Sequence, residues 1–460
     1  GWCPEGSDVP GVDPGLDWGA GVHNMADELG CLNAFDMDEL CHSRFNHVTH
    51  VPREAMELWA SAFSRITTQL LTAVQGEGAD RKRQIATAAR WYLGAPQLFF
   101  RVRRGAGANT PRVHRTNCKI IKRRLSSFLA GNYLEVVSLW RRDVQNFKPR
   151  KKQQGPKTYE HQVEMAIRLM EKGRVSKGLR VLANKGVGDS DHPEVRQQMI
   201  DKMPAGARVL GERDYAEAVS MAGIEDVLRK LDALVGVGAR GLKAHYLQVL
   251  ATARFTTDEA AEAVDKLQEL GEAYASGELP PWVRRMMNAG LLTPLIKSVA
   301  PPGVTPDMRP IVARETDIAV FDKVVNASVV EEVNKKLRPQ QLAIGEPMGC
   351  EKKIWTMKLL HQEAKKKPGG WAIAIALDQE NAFQELDKEA AQAVMDQWAE
   401  DVPALTSLAR LHRASVGQPV DVYMRSSTST TGVDRVCEMT EGGPQGSAIT
   451  GMALAAVLDG

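Results

Sequence analysis

The sequence contains little cysteine, few aromatic residues and no long apolar run. Its six cysteines are scattered over 460 residues, unlike the dense, paired spacing of a disulfide-stabilised secreted domain, and this favours a reducing compartment. The longest apolar run, near the C-terminus, is too short to cross a bilayer, and no signal peptide opens the chain. We therefore expect an intracellular protein, nuclear or cytoplasmic, that has no membrane partner.

A large net charge is also missing, because 59 basic residues oppose 57 acidic ones and leave a charge of +2. Any contact with nucleic acid must therefore come from local segregation of charge. With 43% hydrophobic residues the chain is able to bury a large core, and its length favours about two or three domains. The first residue is Gly1 rather than Met, which indicates a fragment.

Positive charge is concentrated between residues 101 and 152. Fifteen lysines and arginines stand there against Glu135 and Asp143, with Tyr133, Trp140 and Phe147 between them. Such a strip binds polyphosphate backbones by counterion release, without sequence preference. A solvated helix face followed by a linker is the alternative. The predicted nucleic-acid-binding residues are Arg101, Arg103, Arg104, Arg115, Lys122, Arg123, Arg124, Arg141 and Arg142.

An uncharged apolar run, WAIAIAL, begins at Trp371 and ends directly before Asp378. Bounded by Pro-Gly-Gly and by polar residues, the run predicts a strand that is buried on both faces in the middle of a sheet. Helix-favouring residues follow from Gln384 to Glu400. Asp378 is then expected at the carboxyl end of a central strand, as a catalytic carboxylate. A solvated aspartate after an ordinary strand is the alternative.

A glycine-rich loop precedes an apolar helix in residues 441–458, EGGPQGSAITGMALAAVL. Ser447 is expected to cap the helix, and the exposed N–H groups of a helix start attract phosphate. Glycines also let a nucleotide or template approach the backbone closely. No Gly-Lys-Ser/Thr follows, which excludes a Walker loop. A plain helix cap is the alternative.

Two cations upstream, Lys297 and Arg309, adjoin the apolar segments Leu291–Ile296 and Ile311–Ala313. Cations held in place in this way can neutralise a nucleoside triphosphate before its α-phosphorus is attacked. For each of them a surface salt bridge is the alternative.

Taken in order, these elements resemble motifs of reverse transcriptases, particularly those of non-LTR retrotransposons. In motif A an apolar strand, Asp378, four residues and the aromatic Phe383 match the family pattern, and in motif B the loop Pro444–Ser447 matches Pro-Gln-Gly. Arg309 begins an Arg-Pro-Ile motif. Gly238–Gly241 matches the family's Gly-Pro-Asp-Gly only in part. The resemblance covers residues 215 to 460, just over half of the chain.

The resemblance implies an α+β chain in which a mostly helical N-terminal region precedes the fingers and an incomplete palm of a right-hand polymerase. The expected divisions are 1–50, a loosely structured segment; 51–157, a helical, basic nucleic-acid-binding region and linker; 158–214, a helical connector; 215–370, the fingers; and 371–460, the partial palm with motifs A and B.

The implied activity is RNA-directed DNA synthesis by two-metal nucleotidyl transfer. The implied cofactor is Mg²⁺, and the partners are an RNA template, a DNA primer and deoxynucleoside triphosphates. Asp378 and the backbone of Gln379 would hold the metal ions, and Phe383 would be the steric gate against a ribose 2′-OH. The implied nucleotide-binding residues are Lys297, Arg309, Gln379, Phe383, Gln445 and Gly446.

The sequence departs from the family in one respect. The aromatic-x-Asp-Asp motif that supplies the second carboxylate pair is missing, as are the thumb and any nuclease domain. We therefore expect a truncated nucleotidyltransferase that is inactive as it stands. Two other functions remain open: a non-catalytic nucleic-acid-binding remnant of a retroelement, and an unrelated phosphate-handling enzyme that uses Asp378 and the 442–447 loop.

Overall fold

The computed structural model describes residues 47–102, 111–145, 159–171, 173–204, 209–211, 213–232, 237–253, 256–298, 300–301, 303–342, 344–371, 373, 379, 381–429, 432–445 and 447–459. These residues form helices and one small mixed sheet, so the predicted α+β class is confirmed. Among the described helices, none has both the length and the apolar composition that crossing a membrane requires.

Helices dominate the N-terminal half because its apolar residues recur at helical spacing. In α1, Trp59, Phe63, Ile66 and Leu70 share one buried face. The helices before the sheet are α1 Met56–Gln75, α2 Arg81–Phe100, α3 Pro111–Leu129, α4 Tyr133–Gln145, α5 Tyr159–Glu171, α6 Val175–Ala183, α7 Pro193–Asp201, α8 Ile224–Arg229, α9 Ala244–Ala253, α10 Asp258–Ala275 and α11 Pro281–Asn288.

The sheet has four strands in the order β2-β1-β3-β4. Strand β1 runs antiparallel to β2 and parallel to β3, and β3 and β4 are antiparallel neighbours. The strands are β1 Gly290–Ile296, β2 Met308–Ala313, β3 Val420–Arg425 and β4 Val433–Met439. The remaining helices are α12 Thr316–Leu337, α13 Gly349–Lys366, α14 Lys388–Asp401, α15 Thr406–Ser415 and α16 Ala448–Asp459.

Alternate residues of the sheet face opposite sides, as the period of a strand requires. Leu292, Met308 and Val312 pack with Val195 and Met199 of α7, which covers one face. On the opposite face Leu295 pairs with Arg309, and Thr293 with Ile311. Arg309 is exposed, and the other three are partly exposed. This half of the second face is therefore open to solvent.

The structure describes only two residues of the predicted buried strand, and the prediction is wrong for both. Trp371 and Ile373 lie in no strand, and their exposed fractions are 75% and 69%. An apolar run becomes a central strand only where neighbouring strands pair with it, and the described strands instead pair with one another. Residues 372 and 374–378 lie outside the described residues, as do 1–46 and the predicted linker at 148–157.

The structure shifts the start of two helices that the sequence predicts, one over residues 312–337 and one from Gln384. α12 begins at Thr316, because residues 308–313 pair with β1. α14 begins at Lys388 rather than near Gln384, because the Asp387 carboxylate accepts hydrogen bonds from the N–H groups of Glu389 and Ala390 and caps the helix there.

Candidate functional site

The glycine-rich loop lies directly against the chain that follows the predicted strand. The Gly443 N–H donates to the Phe383 carbonyl at 2.7 Å, and the Gly442 N–H donates to the Leu386 carbonyl at 3.0 Å. Phe383 belongs to a turn that starts at Asn381, whose φ is 50°. Two segments some sixty residues apart, both predicted to be functional, are thus joined by their backbones.

Glycine is required at position 442 for two independent reasons. Its φ is +66°, in the left-handed region that favours glycine. A Cβ on this residue would also lie 2.2 Å from the Gln384 carbonyl oxygen. The close approach of the loop to the 383–386 segment therefore depends on the missing side chain.

Ser447 caps α16, as predicted. Its Oγ accepts a hydrogen bond from the Thr450 N–H at 3.3 Å and donates to Oδ2 of Asp322 at 2.7 Å. Asp322 is also paired with Arg314 Nη1 at 2.8 Å, and Arg314 Nη2 donates to Asn288 Oδ1 at 3.0 Å. These four side chains are buried. They attach the start of α16 to α12 and α11, so the loop is held at both ends.

This buried network was not predicted from the sequence. Arg314 and Asp322 lie eight residues apart at the junction of β2 and α12, next to the apolar residues Ile311–Ala313 and Ile318–Phe321, and buried charges are stable only when paired. Charged residues beside these apolar runs were the available signal. The partners themselves, Ser447 and Asn288, are distant in sequence and become identifiable only in the fold.

Arg309 adjoins the same group of segments through its strand. Gln384, which is 2% exposed, donates from Nε2 to the Pro310 carbonyl at 3.3 Å. Arg309, which precedes Pro310 in β2, projects from the open face of the sheet, on the side opposite to Met308 and beside Leu295. The chain segment of Phe383 therefore touches β2 on one side and the glycine-rich loop on the other.

Lys297 forms a surface salt bridge, which was the alternative to a nucleotide-binding role. Its Nζ lies 3.4 Å from Oδ2 of Asp307, and its side chain is 42% exposed. Lys202 also binds Asp307. Hydrogen bonds from Lys202 and Lys297 lower the pKa of the Asp307 carboxyl below its ordinary value. Lys297 therefore shares one carboxylate with Lys202, and the three side chains together keep a net positive charge.

Lys388 is a second feature that the sequence did not indicate. It is fully buried at the start of α14, where Nζ donates to the Gln418 carbonyl at 3.3 Å. Burial lowers the pKa of Lys388 to about 8, while the carboxylates of Glu441 and Glu438 act in the opposite direction. An amine of this kind lies near the first residue of the glycine-rich loop and is partly neutral near pH 8.

The structure describes two of the four remaining predicted site residues. Gln379 is exposed and Gln445 is half-buried. Asp378 and Gly446 lie outside the described residues. Within the part of the chain that the structure describes, no group of three or more His, Cys, Asp or Glu side chains is arranged to hold a metal ion. The magnesium prediction therefore remains a prediction.

For two residues of the predicted basic strip, the prediction of nucleic-acid binding is wrong because their side chains are buried. Arg101 is 2% exposed and donates to the Asp143 carbonyl at 2.7 Å. Arg124 is 1% exposed, donates to the Arg101 carbonyl and is paired with the Asp143 carboxylate. Arg124 lies on the same side of α3 as the buried residues Ile121 and Phe128. The spacing of three and four residues between these positions could therefore have predicted that Arg124 is buried.

The other described residues predicted to bind nucleic acid are exposed. Arg115 and Lys122 lie on one side of α3 with Lys119, at a spacing of four and three residues. Arg123, which is paired with Glu135, and Arg141 and Arg142 of α4 are exposed as well. Arg103 and Arg104 lie outside the described residues. The charge on α3 is therefore available to a polyanion.

Comparison of the chain with protein-family models, with curated proteins and with solved structures finds no match. The resemblance to reverse transcriptases therefore stays a prediction from the sequence motifs.

Proposed function

We propose that residues 215–460 are the fingers and part of the palm of a reverse transcriptase from a non-LTR retroelement. The contact between Gly442–Gly443 and the backbone of Phe383 and Leu386 is the observation that supports this most strongly. A polymerase needs its steric gate beside its template-contacting loop, and motifs that matched by coincidence would have no reason to adjoin.

In this proposal the described residues bind and orient the incoming nucleotide. Arg309, on the open face of the sheet, neutralises the triphosphate, while Phe383 and Gln445 contact the sugar and the base. The cap at Ser447 fixes the start of α16 so that its N–H groups face one direction. These roles stabilise charge and restrict position, which are the main contributions a protein makes to phosphoryl transfer.

The proposed metal ligands are Asp378 and the backbone carbonyl of Gln379. Carboxylate and carbonyl oxygens are ligands that Mg²⁺ accepts, but two of them leave most of its coordination shell to water and to substrate phosphates. Bound Mg²⁺ would lower the barrier for attack by the primer hydroxyl. We propose that efficient incorporation also requires a second carboxylate pair.

Ternary-complex formation tests the proposal without requiring turnover. A fluorescein-labelled hybrid of RNA template and chain-terminated DNA primer is titrated by anisotropy, with Mg²⁺ and either the complementary or a mismatched deoxynucleotide. We expect the complementary nucleotide alone to tighten binding. Arg309→Ala should weaken the nucleotide effect about tenfold, the range of one charge-assisted hydrogen bond. Arg168→Ala, at an exposed arginine of α5, is the matched control.

Equal affinity with both nucleotides would contradict the polymerase proposal. It would favour the second candidate, a nucleic-acid-binding protein without nucleotide selection, which the exposed side of α3 supports. In that case Lys119→Gln with Lys122→Gln should weaken binding to every nucleic acid and reduce the salt dependence. Arg309→Ala should then have no effect beyond that of the Arg168 control.

A further inference from the structure

Helix α13 exposes large apolar side chains to solvent over residues 354–360. Every residue of this helix is at least partly exposed. The exposed fractions are 63% for Trp355 and 55% for Leu359, and Trp371, just beyond the helix, is 75% exposed. Trp355 and Leu359, four residues apart, are neighbours on the helix surface, and large exposed apolar side chains that cluster in this way mark a binding surface.

Lysines accompany these apolar residues. Residues 349–367 contain six lysines and two glutamates, a net charge of +4. Lys352 and Lys358 lie three residues before and after Trp355, so both are its neighbours on the helix surface. The Lys358 Nζ lies 5.4 Å from the centroid of the Trp355 ring. Lys352 is paired with Glu346, and Lys366 with Glu363.

The charge decides what this surface can bind. A second copy of the chain would bring +4 against +4 in a symmetric helix pair, and that repulsion opposes self-association. An anionic partner is favoured instead. Two exposed indole rings beside lysines match a single strand of nucleic acid, whose bases offer flat faces for stacking and whose phosphates pair with the ammonium groups. A duplex keeps its base faces stacked internally, so it offers phosphates and base edges but no flat face to an indole ring.

We propose that the α13 surface, defined as Lys352, Trp355, Lys358, Leu359 and Trp371, binds single-stranded nucleic acid. The bases stack on Trp355 and Trp371, and the lysines bind the backbone phosphates. This surface lies within residues 215–460 but shares no residue with the loop, with Arg309 or with the basic side of α3, so its failure can be distinguished from a failure of the polymerase proposal. It does not require nucleotide incorporation and can be tested separately.

The test measures the affinity of the full chain for a fluorescein-labelled 20-mer of uridine in about 150 mM KCl. Trp355→Ala with Trp371→Ala should weaken binding by at least about tenfold, because stacking is sequence-tolerant and strong for each base. Trp355→Phe with Trp371→Phe retains an aromatic face and should stay within about threefold of the parent. Leu134→Ala is the matched control, since this α4 residue is 61% exposed and far from α13 in sequence.

Salt dependence separates stacking from charge. Lys352→Gln with Lys358→Gln should reduce the slope of log affinity against log salt by about 1.4, which is about 0.7 for each phosphate that a lysine no longer neutralises. The same slope in parent and variant would overturn the role of the two lysines. An unchanged affinity after the double Trp→Ala change, or weaker binding only in Lys119→Gln with Lys122→Gln, would overturn the proposed surface. So would light scattering that shows a dimer dispersed by the Trp→Ala changes.

Discussion

At the scale of single residues, Gly442 is where the loop depends on the absence of a side chain. Gly442→Ala adds a methyl group 2.2 Å from the Gln384 carbonyl and places alanine at a φ of +66°. Gly131 has a φ of +82° with open space where a Cβ would lie. We expect Gly131→Ala to cost about 1–2 kcal/mol of unfolding free energy, from backbone strain alone.

We expect Gly442→Ala to cost at least about 2 kcal/mol more than the Gly131 control, because two backbone segments must also move apart. Urea unfolding measures both costs. Hydrogen exchange gives a second readout, since the Gly442 and Gly443 amides should exchange faster only in the Gly442 variant. Equal costs for the two substitutions would show that the close approach to Gln384 contributes nothing.

His412 makes stability depend on pH. The ring is buried and bonded to Gln392 Oε1 at 2.7 Å. Burial lowers its pKa to about 3, and the unfolded chain has the ordinary value of 6.5. Below pH 6.5 the unfolded state therefore binds a proton that the folded state does not, and stability falls as the pH falls. Between pH 7 and pH 5 this one group should remove about 2 kcal/mol.

His412→Asn keeps a donor toward Gln392 and removes the titration. Its stability should decline between pH 7 and pH 5 by about 2 kcal/mol less than that of the parent protein. His47, whose pKa is lowered to about 4 mainly by burial, changes stability in the same direction in both proteins and cancels in the comparison. Parallel stability curves for parent and variant would exclude this role for His412.

At the scale of elements, the capping of α16 is coupled to a buried ion pair. Ser447→Ala removes the cap and one hydrogen bond to Asp322. We expect a cost of about 2–3 kcal/mol, above the range of about 0.5–2 kcal/mol for an isolated cap. Thr257→Ala is the control, because Thr257 caps α10 by accepting from the Ala260 N–H. Removing that cap should lower the free energy of unfolding by about 1 kcal/mol.

A double-mutant cycle with Asp322→Asn tests the coupling directly. If Ser447 and Asp322 act together, the double variant should be less unstable than the sum of the single variants, by about 1 kcal/mol or more. Additive costs within about 0.5 kcal/mol would mean that the serine acts only as a cap.

Elements with strong internal periodicity were predictable from the sequence, and those that depend on distant partners were not. Helix α1 and strand β1 follow from the spacing and the continuity of their apolar residues. The cap at Ser447 also follows, because capping is local chemistry. Trp371 and Ile373 were misassigned because an apolar run does not reveal which strands will pair with it. The proximity of the loop to Phe383 was expected only from the motif resemblance.

At the scale of the whole molecule, a buried charge cluster connects the N-terminal helices to the sheet region. Arg240 donates to both carboxylate oxygens of Asp317, at 2.8 and 2.6 Å, and Tyr92 of α2 donates to the same carboxylate at 2.6 Å. Glu315 accepts from the Arg240 N–H. Burial raises the pKa of Glu315 to about 7. Glu315 and Asp317 follow β2 directly, so α2 is tied to the strand that carries Arg309.

Arg240→Met should therefore destabilise both regions together. The substitution keeps the apolar volume but leaves Asp317 and Glu315 buried beside each other without a cation, and breaking a buried pair in this way costs about 3–5 kcal/mol. The control is Arg229→Met, at a half-exposed arginine paired with Glu225, where the cost should stay below about 1 kcal/mol. Hydrogen exchange should show faster exchange in α2 and in β2 alike. Faster exchange confined to α2 would mean that the helices and the sheet are energetically independent, and that the N-terminal region has no influence on the candidate nucleotide site.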